Sequence, residues 1–594
     1  MRTSIATVCL SGGLVEKLHA CAAAGFDGVE IMDADLVGAF ESPEEIRALC
    51  ARLGLRIDMF QPFRDVEGVD PVTFADTLRR AEAKFDVMER LGTDLMLVCS
   101  NVGTATVDDD AVAAAQLGEL ADLAAARGIR LAYEALAWGR YVDDYRRAWR
   151  IVQLADRPNL GTCLDSFHIL SRGHDPAAIE EIDGDKIFFL QLADAPALDM
   201  DVLSWSRHHR LFPGEGAFDL TAFLGHVLAA GYRGPYSLEV FNDTFRQTDV
   251  GRTAAHARRS LTWLADRTAA AHDWGIDRLP DPQPARGIDF VEVAGESLDA
   301  VDEMLAQLGL TFRGRHRSKP VRLWSAGEAR IILNEQRRDE APLVAGLGLV
   351  VDDARVAADR ARALGAPAVY RRTYAGEQEL PAVAAPDGTE VFWGDRSGSG
   401  SWVEEFLGGD AIPGPLDGVI DHVNLGYRWQ HFDEAVLFAG SVLALATEST
   451  AEVPGPMGLV RSQVMRTADG VVRLPINLAP PTAPVPPRHI AIRCDDVVGA
   501  ARRARAAGLR FLRMPANYYD DLAARFGPAL DPALLEDLRE LDLCYDRDGE
   551  GEFIHLYTPR VGGVFFELVE RRGGYDGYGA ASAPVRLSAQ RAAG

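Results

Sequence analysis

The sequence predicts an α/β protein with two unlike parts, an N-terminal TIM (β/α)8 barrel and a C-terminal α+β domain built from repeated modules. Three observations carry this prediction. Residues 1–275 alternate short β-rich runs with helical stretches, a Pro-rich segment follows, and the remainder contains an internal repeat. A chain of 594 residues is several times the length of an ordinary domain, so more than one domain is expected.

Eight β-rich runs lie in the first part, and each is almost continuously apolar. They are residues 4–10, 28–32, 55–61, 95–100, 129–135, 160–168, 186–194 and 236–242. Parallel strands that are buried on both faces have this composition. The segments between them, such as AVAAAQLGELADLAAARG, are amphipathic and predict helices. Eight strand–helix units in this length of chain predict a TIM barrel.

The second part begins after residues 276–287, IDRLPDPQPARG, whose proline and charge content predicts a linker. Beyond it, the stretch LGLVVDDARVAADRARALGAP is echoed 143 residues later by IAIRCDDVVGAARRARAAGLR. Each copy has a strand, an Asp-Asp helix start and a helix that ends near a glycine. We therefore predict a duplicated domain over 288–594, with halves at about 288–410 and 411–594.

Composition narrows the class of protein. The net charge of −26 argues against a nucleic-acid surface, but it allows a small anionic substrate, which a few inward-facing arginines can hold. No apolar run of 18 residues and no signal-peptide pattern are found, so we expect a cytoplasmic protein without a membrane partner. Seven scattered cysteines without CxxC spacing predict buried, reduced thiols. A homo-oligomer is compatible with this composition.

Polar residues stand at the carboxyl ends of four successive predicted strands, where the chemistry of such barrels collects. They are Glu134, Asp165, Gln191 and Glu239, each flanked by apolar residues. Three carboxylates converging in a partly buried mouth repel one another, and a divalent cation removes that penalty. An all-oxygen set suits Mg²⁺ or Mn²⁺. Salt bridges to barrel arginines are the alternative for any single carboxylate.

Several motifs resemble a known family. The EA pair on strand five, LDSFH on strand six, HHRLFPGEGAFD after strand seven and LEVF on strand eight resemble the xylose-isomerase-like barrels. Those enzymes bind one divalent metal through Glu, Asp, usually His, and Glu, and Gln191 stands at the usual His. With that residue, the FQPFRD segment and the C-terminal part, the whole chain resembles the fused bacterial 3-dehydroshikimate dehydratases. The resemblance implies dehydration of 3-dehydroshikimate to protocatechuate, in quinate and shikimate catabolism, with Mg²⁺, Mn²⁺ or Co²⁺.

That reaction needs a base and a clamp for the substrate carboxylate. His168 lies three residues beyond the ligand aspartate, and a neutral imidazole is matched to proton transfer near pH 7, so we predict it as the base. A packing role is the alternative. Candidates for the carboxylate are Ser206 and Arg210 after strand seven and Arg64 after strand three, with His208 and His209 as alternative acids.

The second half of the duplicated domain carries its own candidate metal site. His422, His489 and Glu567 lie in apolar strands and form a two-His-one-carboxylate pattern. They resemble the ligands of 4-hydroxyphenylpyruvate dioxygenase, a vicinal-oxygen-chelate protein of tandem βαβββ modules, in which they bind iron. Arg488 and His555 stand where that family has glutamines, so we predict a second divalent metal site. For the domain as a whole, a scaffold, an oligomerisation domain or a different small-molecule site is favoured over dioxygenase activity.

Two other functions fit parts of the sequence. A ketose epimerase or isomerase in the barrel would use Glu134 and Glu239 as paired acids. An aromatic 2-oxo acid dioxygenase would instead place catalysis in the C-terminal domain.

Overall fold

The computed structural model describes residues 1–336, 340–395, 401–478, 480 and 484–593. The chain separates into two compact units, Met1–Leu279 and Pro280–Gly594. None of the described helices is long and apolar enough to cross a membrane.

The first unit is a closed barrel of eight parallel strands, which confirms the predicted TIM barrel. The strands are β1 (Thr3–Ala6), β2 (Gly28–Met32), β3 (Arg56–Phe63), β4 (Leu95–Cys99), β5 (Arg130–Glu134), β6 (Leu160–Asp165), β7 (Ile187–Leu192) and β8 (Tyr236–Leu238). Each strand pairs with the next, and β1 pairs with β8 to close the barrel. All eight correspond to the apolar runs of the sequence, because strands covered on both faces need apolar side chains throughout.

Helices connect and surround these strands. They are α1 (Leu14–Ala23), α2 (Asp33–Val37), α3 (Pro43–Leu53), α4 (Pro71–Leu91), α5 (Asp110–Ala125), α6 (Tyr145–Ala155), α7 (Ser166–Leu170), α8 (Val202–His208), α9 (Leu220–Ala229) and α10 (Val250–Ala271). Their termini follow local rules: Ser42 forms a capping box with Glu45 at the start of α3, and Gly54 at φ 74° ends it.

The run at 160–168 is only partly strand, and this places two candidate residues. Strand β6 ends at Asp165, whose carboxylate accepts hydrogen bonds from the backbone N–H groups of Phe167 (2.6 Å) and His168 (3.3 Å). Asp165 therefore caps the short helix α7, which carries His168. The cap turns the chain at the barrel rim and keeps both side chains at the carboxyl ends of the strands.

The second unit consists of two mixed sheets, which confirms the predicted vicinal-oxygen-chelate architecture. The first sheet contains β9 (Gly287–Ala294), β10 (Thr311–His316), β11 (Val321–Ala326), β12 (Ala329–Asn334), β13 (Leu343–Val351), β14 (Ala368–Val369), β15 (Ala382–Ala384), β16 (Glu390–Asp395) and β17 (Phe406–Gly408). The second contains β18 (Val419–Tyr427), β19 (Ala446–Gly455), β20 (Gly458–Arg466), β21 (Arg473–Leu478), β22 (Arg488–Arg493), β23 (Cys544–Asp548), β24 (Gly551–Tyr557) and β25 (Val564–Arg572).

Helices of this unit interrupt the strands in a βαβββ order. They are α11 (Asp299–Leu308), α12 (Ala354–Ala363), α13 (Phe432–Ser441), α14 (Val497–Ala506), α15 (Ala516–Phe526), α16 (Pro532–Leu541) and α17 (Ala583–Ala592). The repeated Asp-Asp motif begins α12 and α14, where Asp353 and Asp496 accept hydrogen bonds from Val356 N–H (2.9 Å) and Gly499 N–H (2.7 Å). The sequence repeat is thus a repeat of strand, cap and helix.

The seven cysteines are all free and buried. Burial raises the pKa of each thiol above its ordinary value. These thiols pack as small apolar side chains, as the sequence predicted.

Candidate active site

A cavity of about 300 Å³ opens at the carboxyl ends of the barrel strands. Its lining is a mixture of apolar groups and ionisable side chains. The ionisable ones are Asp33, Arg64, Cys99, Glu134, His168, Arg207, Arg210 and Glu239. The predicted residues Asp165, Gln191 and Ser206 lie just behind this lining.

Three carboxylates converge at the floor of the cavity. Glu134, Asp165 and Glu239 are each at most 5% exposed. Burial, and then repulsion from the neighbouring carboxylates, raises the pKa of Glu134 well above its usual range, and burial also raises the pKa of Glu239. Burial would raise the pKa of Asp165 too, but Arg210 and His168 outweigh it and lower that pKa. The floor therefore concentrates negative charge that needs a counter-cation.

Arg210 supplies part of that countercharge. Its Nη1 donates to Asp165 Oδ2 (2.8 Å), to Glu239 Oε2 (3.1 Å) and to the Glu239 carbonyl oxygen (3.0 Å). Ser206 Oγ accepts from Nε and Nη2 at 3.1 and 2.9 Å. Ser206 is fully buried, so its contact is with Arg210 and not with the cavity. Sequence reasoning assigned both residues to the substrate, whereas here Arg210 bridges two carboxylates and Ser206 holds Arg210.

The remaining donor atoms fit a divalent cation. Glu134 Oε1 is buried and has no hydrogen-bond partner among the described residues. Donor atoms of Glu134, Asp165 and His168 lie within 4.8 Å of one another. Arg210 is hydrogen-bonded to Asp165 and Glu239, and since the unpaired buried oxygen of Glu134 is costly, this floor suits an ion with hard oxygen ligands.

Gln191 is tied to a buried glutamate that the sequence did not single out. Its Nε2 donates to Glu30 Oε2 (2.6 Å), while Cys163 Sγ lies 3.4 Å from its Oε1. Glu30 also accepts from Gln61 Nε2 (2.8 Å) and from the hydroxyl of Ser237. This layer of polar side chains lies inside the barrel, and all its members are at most 3% exposed.

His168 is held as a neutral imidazole. Nδ1 accepts from Ala137 N–H (3.0 Å), and Nε2 lies 3.3 Å from Arg210 Nη2. Because Nδ1 accepts from Ala137 N–H, the proton of the neutral ring lies on Nε2, and a second ring proton on Nδ1 would meet that N–H group. Burial, which outweighs the attraction of Asp165 and is assisted by repulsion from three arginines, lowers the pKa of His168 to about 3. The low pKa keeps the imidazole neutral at pH 7, and with Nδ1 accepting from Ala137 N–H its single ring proton lies on Nε2.

Two further arginines line the cavity. Arg64 lies on its wall, as the sequence suggested. Arg207, which the sequence reasoning missed, packs over the ring of Phe241 at 5.1 Å and over Trp138 at 5.9 Å. Burial and then the nearby Arg64 and Arg210 lower the pKa of Arg207. An anionic ligand in the cavity would relieve this concentration of positive charge.

The second unit contains the other predicted metal site. Nε2 of His422 and Nε2 of His489 are 3.1 Å apart, and they lie 3.2 and 3.1 Å from Glu567 Oε2. Three donors about 2.1 Å from one ion at near right angles would be separated by about 3.0 Å. All three residues are buried. The structure thus brings the three atoms together in the arrangement of a facial metal triad.

Neighbouring residues orient this triad. His422 Nδ1 lies 2.8 Å from Asp421 Oδ1, and Asp421 is in turn held by both Nε and Nη2 of Arg571 at 2.8 Å. His555 Nδ1 lies 2.7 Å from the second oxygen of Glu567. A carboxylate behind a ligand histidine fixes the tautomer that leaves Nε2 for a metal.

The first half of the second unit has lost the corresponding ligands. In the second half, Ala491 pairs with both His422 and Glu567 across the sheet. The equivalent residue, Gly348, pairs with Phe290 and Phe392. The positions that match the three ligands are Phe290, Gly346 and Phe392. The two phenyl rings, 5.7 Å apart, line a cavity of about 470 Å³ at the positions that hold ligand candidates in the second half.

Three family profiles match successive parts of the chain. Residues 18–267 match the xylose isomerase-like TIM barrel, and 280–404 match the N-terminal part of hydroxyphenylpyruvate dioxygenase. Residues 420–550 match the glyoxalase/bleomycin resistance protein/dioxygenase superfamily.

Similar proteins span the whole chain. A 3-dehydroshikimate dehydratase of Pseudomonas aeruginosa is 44% identical, over 99% of this chain and 98% of its own length. One from Pseudomonas putida is 42% identical, over the same shares of the two chains. A solved structure described as a xylose isomerase-like TIM barrel/4-hydroxyphenylpyruvate dioxygenase fusion protein is 40% identical, with a TM-score of 0.89 over 100% of this chain and 99% of that one.

Proposed function

The chain belongs to the family of 3-dehydroshikimate dehydratases, and we propose that its barrel removes water from 3-dehydroshikimate to give protocatechuate with the help of a divalent metal ion. The observation that carries the proposal is the cavity floor, where three buried carboxylates and a neutral His168 converge in a chain so similar to these enzymes. The relatives do not favour the two alternatives, a ketose epimerase and an aromatic 2-oxo acid dioxygenase.

Four residues would hold the ion: Glu134, Asp165, Gln191 and Glu239. When bound, a divalent cation supplies electrostatic stabilisation of the negative charge that develops on the substrate ketone oxygen. The Arg210 guanidinium occupies part of the space between these residues. It would move away from the carboxylates and contact the substrate instead. Mg²⁺, Mn²⁺ and Co²⁺ are all compatible with such an oxygen-rich set.

His168 is the proposed base. The reaction removes the proton from the carbon between the ketone and the carbon that loses its hydroxyl group. Nε2 of His168 lies 3.7 Å from Asp165 Oδ2 and 3.9 Å from Glu134 Oε1, so it reaches the space directly above the carboxylates. To act as the base, Nε2 must be the unprotonated nitrogen, so its ring proton moves to Nδ1 and the hydrogen bond from Ala137 N–H is released. The imidazolium formed on proton uptake then returns that proton to the departing hydroxyl, and the residue ends the cycle neutral.

The substrate carboxylate would be held by the arginines of the cavity wall. Arg64, Arg207 and Arg210 all line the cavity. A guanidinium binds a carboxylate through two parallel hydrogen bonds. An arginine therefore fixes the orientation of the substrate carboxylate and also compensates its charge. The apolar side chains beside them, Leu136 and Phe241, exclude water from the reacting face.

We also propose that the second unit binds a divalent ion at His422, His489 and Glu567, without assigning it catalysis. Free, buried thiols throughout the chain support a reducing location such as the cytoplasm, where the reaction would be a step of quinate and shikimate catabolism.

An assay of wild type and two barrel variants tests the proposal. Wild type with Mg²⁺ or Mn²⁺ should convert 3-dehydroshikimate to an aromatic product that absorbs in the ultraviolet. Glu239→Ala should lose metal affinity and turnover together. His168→Ala should keep its metal affinity and lose about 10²–10⁴-fold in kcat, the contribution of a positioned base.

His489→Ala is the matched control, since it removes a ligand of the second unit alone. It should leave dehydration unchanged. No ultraviolet change with wild type would refute the dehydratase proposal, and equal activity in both barrel variants would refute the residue assignments.

A further inference from the structure

Glu30 is the one carboxylate inside the barrel that neither lines the cavity nor belongs to the proposed metal ligands. It lies on β2, is fully buried, and reaches across the barrel to side chains of β3, β7 and β8. Its Oε2 accepts from the amide nitrogens of Gln191 (2.6 Å) and Gln61 (2.8 Å). Its Oε1 accepts from the hydroxyl of Ser237.

The orientation of the Gln191 amide follows from these contacts. An amide side chain has an acceptor end and a donor end, and only the donor end can bond a carboxylate oxygen. Since Nε2 is directed to Glu30, Oε1 is directed away from it and accepts from the Cys163 thiol at 3.4 Å, which leaves the second lone pair of this oxygen for a cation. Oxygen is the end that a hard cation binds, whereas an NH₂ group would repel it.

We propose that Glu30 is a positioning residue for the metal site, which fixes the Gln191 amide so that its oxygen faces the cation. The inference rests on the proposed metal site in the barrel. The contact with Glu30 keeps the Gln191 amide from rotating by half a turn, which would exchange its oxygen and its nitrogen. It therefore explains how a glutamine can serve as a metal ligand at this position. Glu30 Oε2 still accepts from Gln191 when a proton is on Oε1, so a neutral Glu30 protonated there gives the same orientation.

A double-mutant cycle, in which the Mn²⁺ affinity of each variant is measured, tests this role. Mn²⁺ is titrated into the chelator-treated full-length protein by calorimetry, with His489→Ala in every variant to remove the second site. Glu30→Met removes the acceptor at nearly constant length, and it should weaken Mn²⁺ binding about 10–100-fold, as loss of an outer-shell partner does. Glu30→Gln can still accept from Gln191 through its own oxygen, so it should bind close to wild type.

The decisive background is Gln191→Glu, whose two carboxylate oxygens make orientation irrelevant. There, Glu30→Met should leave Mn²⁺ affinity unchanged or raise it, because it also removes a repelling carboxylate. A comparable loss of affinity in both backgrounds would show that Glu30 acts through the fold or through Gln61, and would overturn the proposal. So would full affinity of Glu30→Met in the Gln191 background.

Thermal unfolding checks that each variant is folded, and Glu30→Leu replaces Glu30→Met if the latter is not. A failure of the Glu30 proposal can be distinguished from a failure of the proposed metal-dependent function. If wild type does not bind Mn²⁺ and Glu239→Ala changes nothing, the metal site itself is wrong. If wild type binds and Glu239→Ala does not, only the Glu30 cycle decides the role of Glu30.

Discussion

Loading of the second metal site should release about one proton per ion at pH 7. Burial alone would lower the pKa of His422, but hydrogen bonds to Asp421 and Glu567 outweigh it and raise this pKa to about 9. Burial lowers the pKa of His489 to about 4. At pH 7 His422 is therefore about 99% protonated and His489 almost wholly neutral. A metal needs both imidazoles neutral, so only the proton of His422 must leave.

The size of the effect follows from the same values. Between about pH 4 and pH 9 the metal affinity should rise about tenfold per pH unit, so that binding at pH 7 is about 100-fold weaker than above pH 9, or about 2.7 kcal/mol. In the metal-free protein, the contribution of His422 to the free energy of unfolding changes with pH in the opposite direction to the metal affinity. The raised pKa of His422 stabilises the fold below its ordinary pKa of about 6.5, and this stabilisation is lost as the pH rises through 9.

Calorimetry of Zn²⁺ binding in buffers with different ionisation enthalpies measures the proton count. Glu239→Ala in the background silences the barrel site. Asp421→Asn removes a carboxylate that raises the pKa of His422, so it should lower the count at pH 7. A count near zero or near two in the unmodified second site would refute the reasoning, as would an unchanged count in Asp421→Asn.

Three further outcomes are expected. Arg571→Met should destabilise the second unit by about 3–5 kcal/mol in denaturant unfolding, because it removes the guanidinium that holds both oxygens of the buried Asp421, and adding Asp421→Asn should restore most of the loss. Arg207→Met should raise KM for 3-dehydroshikimate roughly 10–100-fold with metal affinity retained, since a hydrogen bond to a charged group is worth about 1.5–3 kcal/mol. An effect confined to kcat would contradict a binding role. Arg64→Met, at the other arginine of the cavity wall, is the comparison. Ser42→Ala should cost about 1 kcal/mol by loss of the cap of α3, with dehydration unaffected, and an unchanged unfolding midpoint would show that the cap contributes nothing.

Much of the barrel could be predicted because its signal is local. A strand covered on both faces must be apolar, so a polar residue at its end, such as Glu134 or Asp165, stands out in the sequence. Strand order in a barrel is also fixed by chain order, which places successive strand ends around one mouth. The same reasoning brought His168 to the site without showing that Asp165 caps its helix.

Contacts between distant strands could not be predicted in this way. Glu30 and Gln191 are 161 residues apart, and nothing in GVEIM distinguishes a positioning glutamate from an ion-paired one. Arg207 and Arg210 are three residues apart, and only the fold shows that the first packs on aromatic rings of the cavity wall while the second bridges carboxylates. In the second unit, the ligands were visible as histidines in apolar strands, but the pairing of Asp421 with a residue 150 positions away was not.

Because every cysteine is buried, the reactivity of the thiols reports the unfolding of the unit in which they lie. A thiol reacts with a maleimide only as the exposed thiolate, and all seven side chains are enclosed and have raised pKa values. Five of them, at positions 9, 21, 50, 99 and 163, belong to the first unit, and the two at 494 and 544 to the second. The mass added after a pulse of reagent therefore reports which unit unfolded, with no residue changed and no label introduced beforehand.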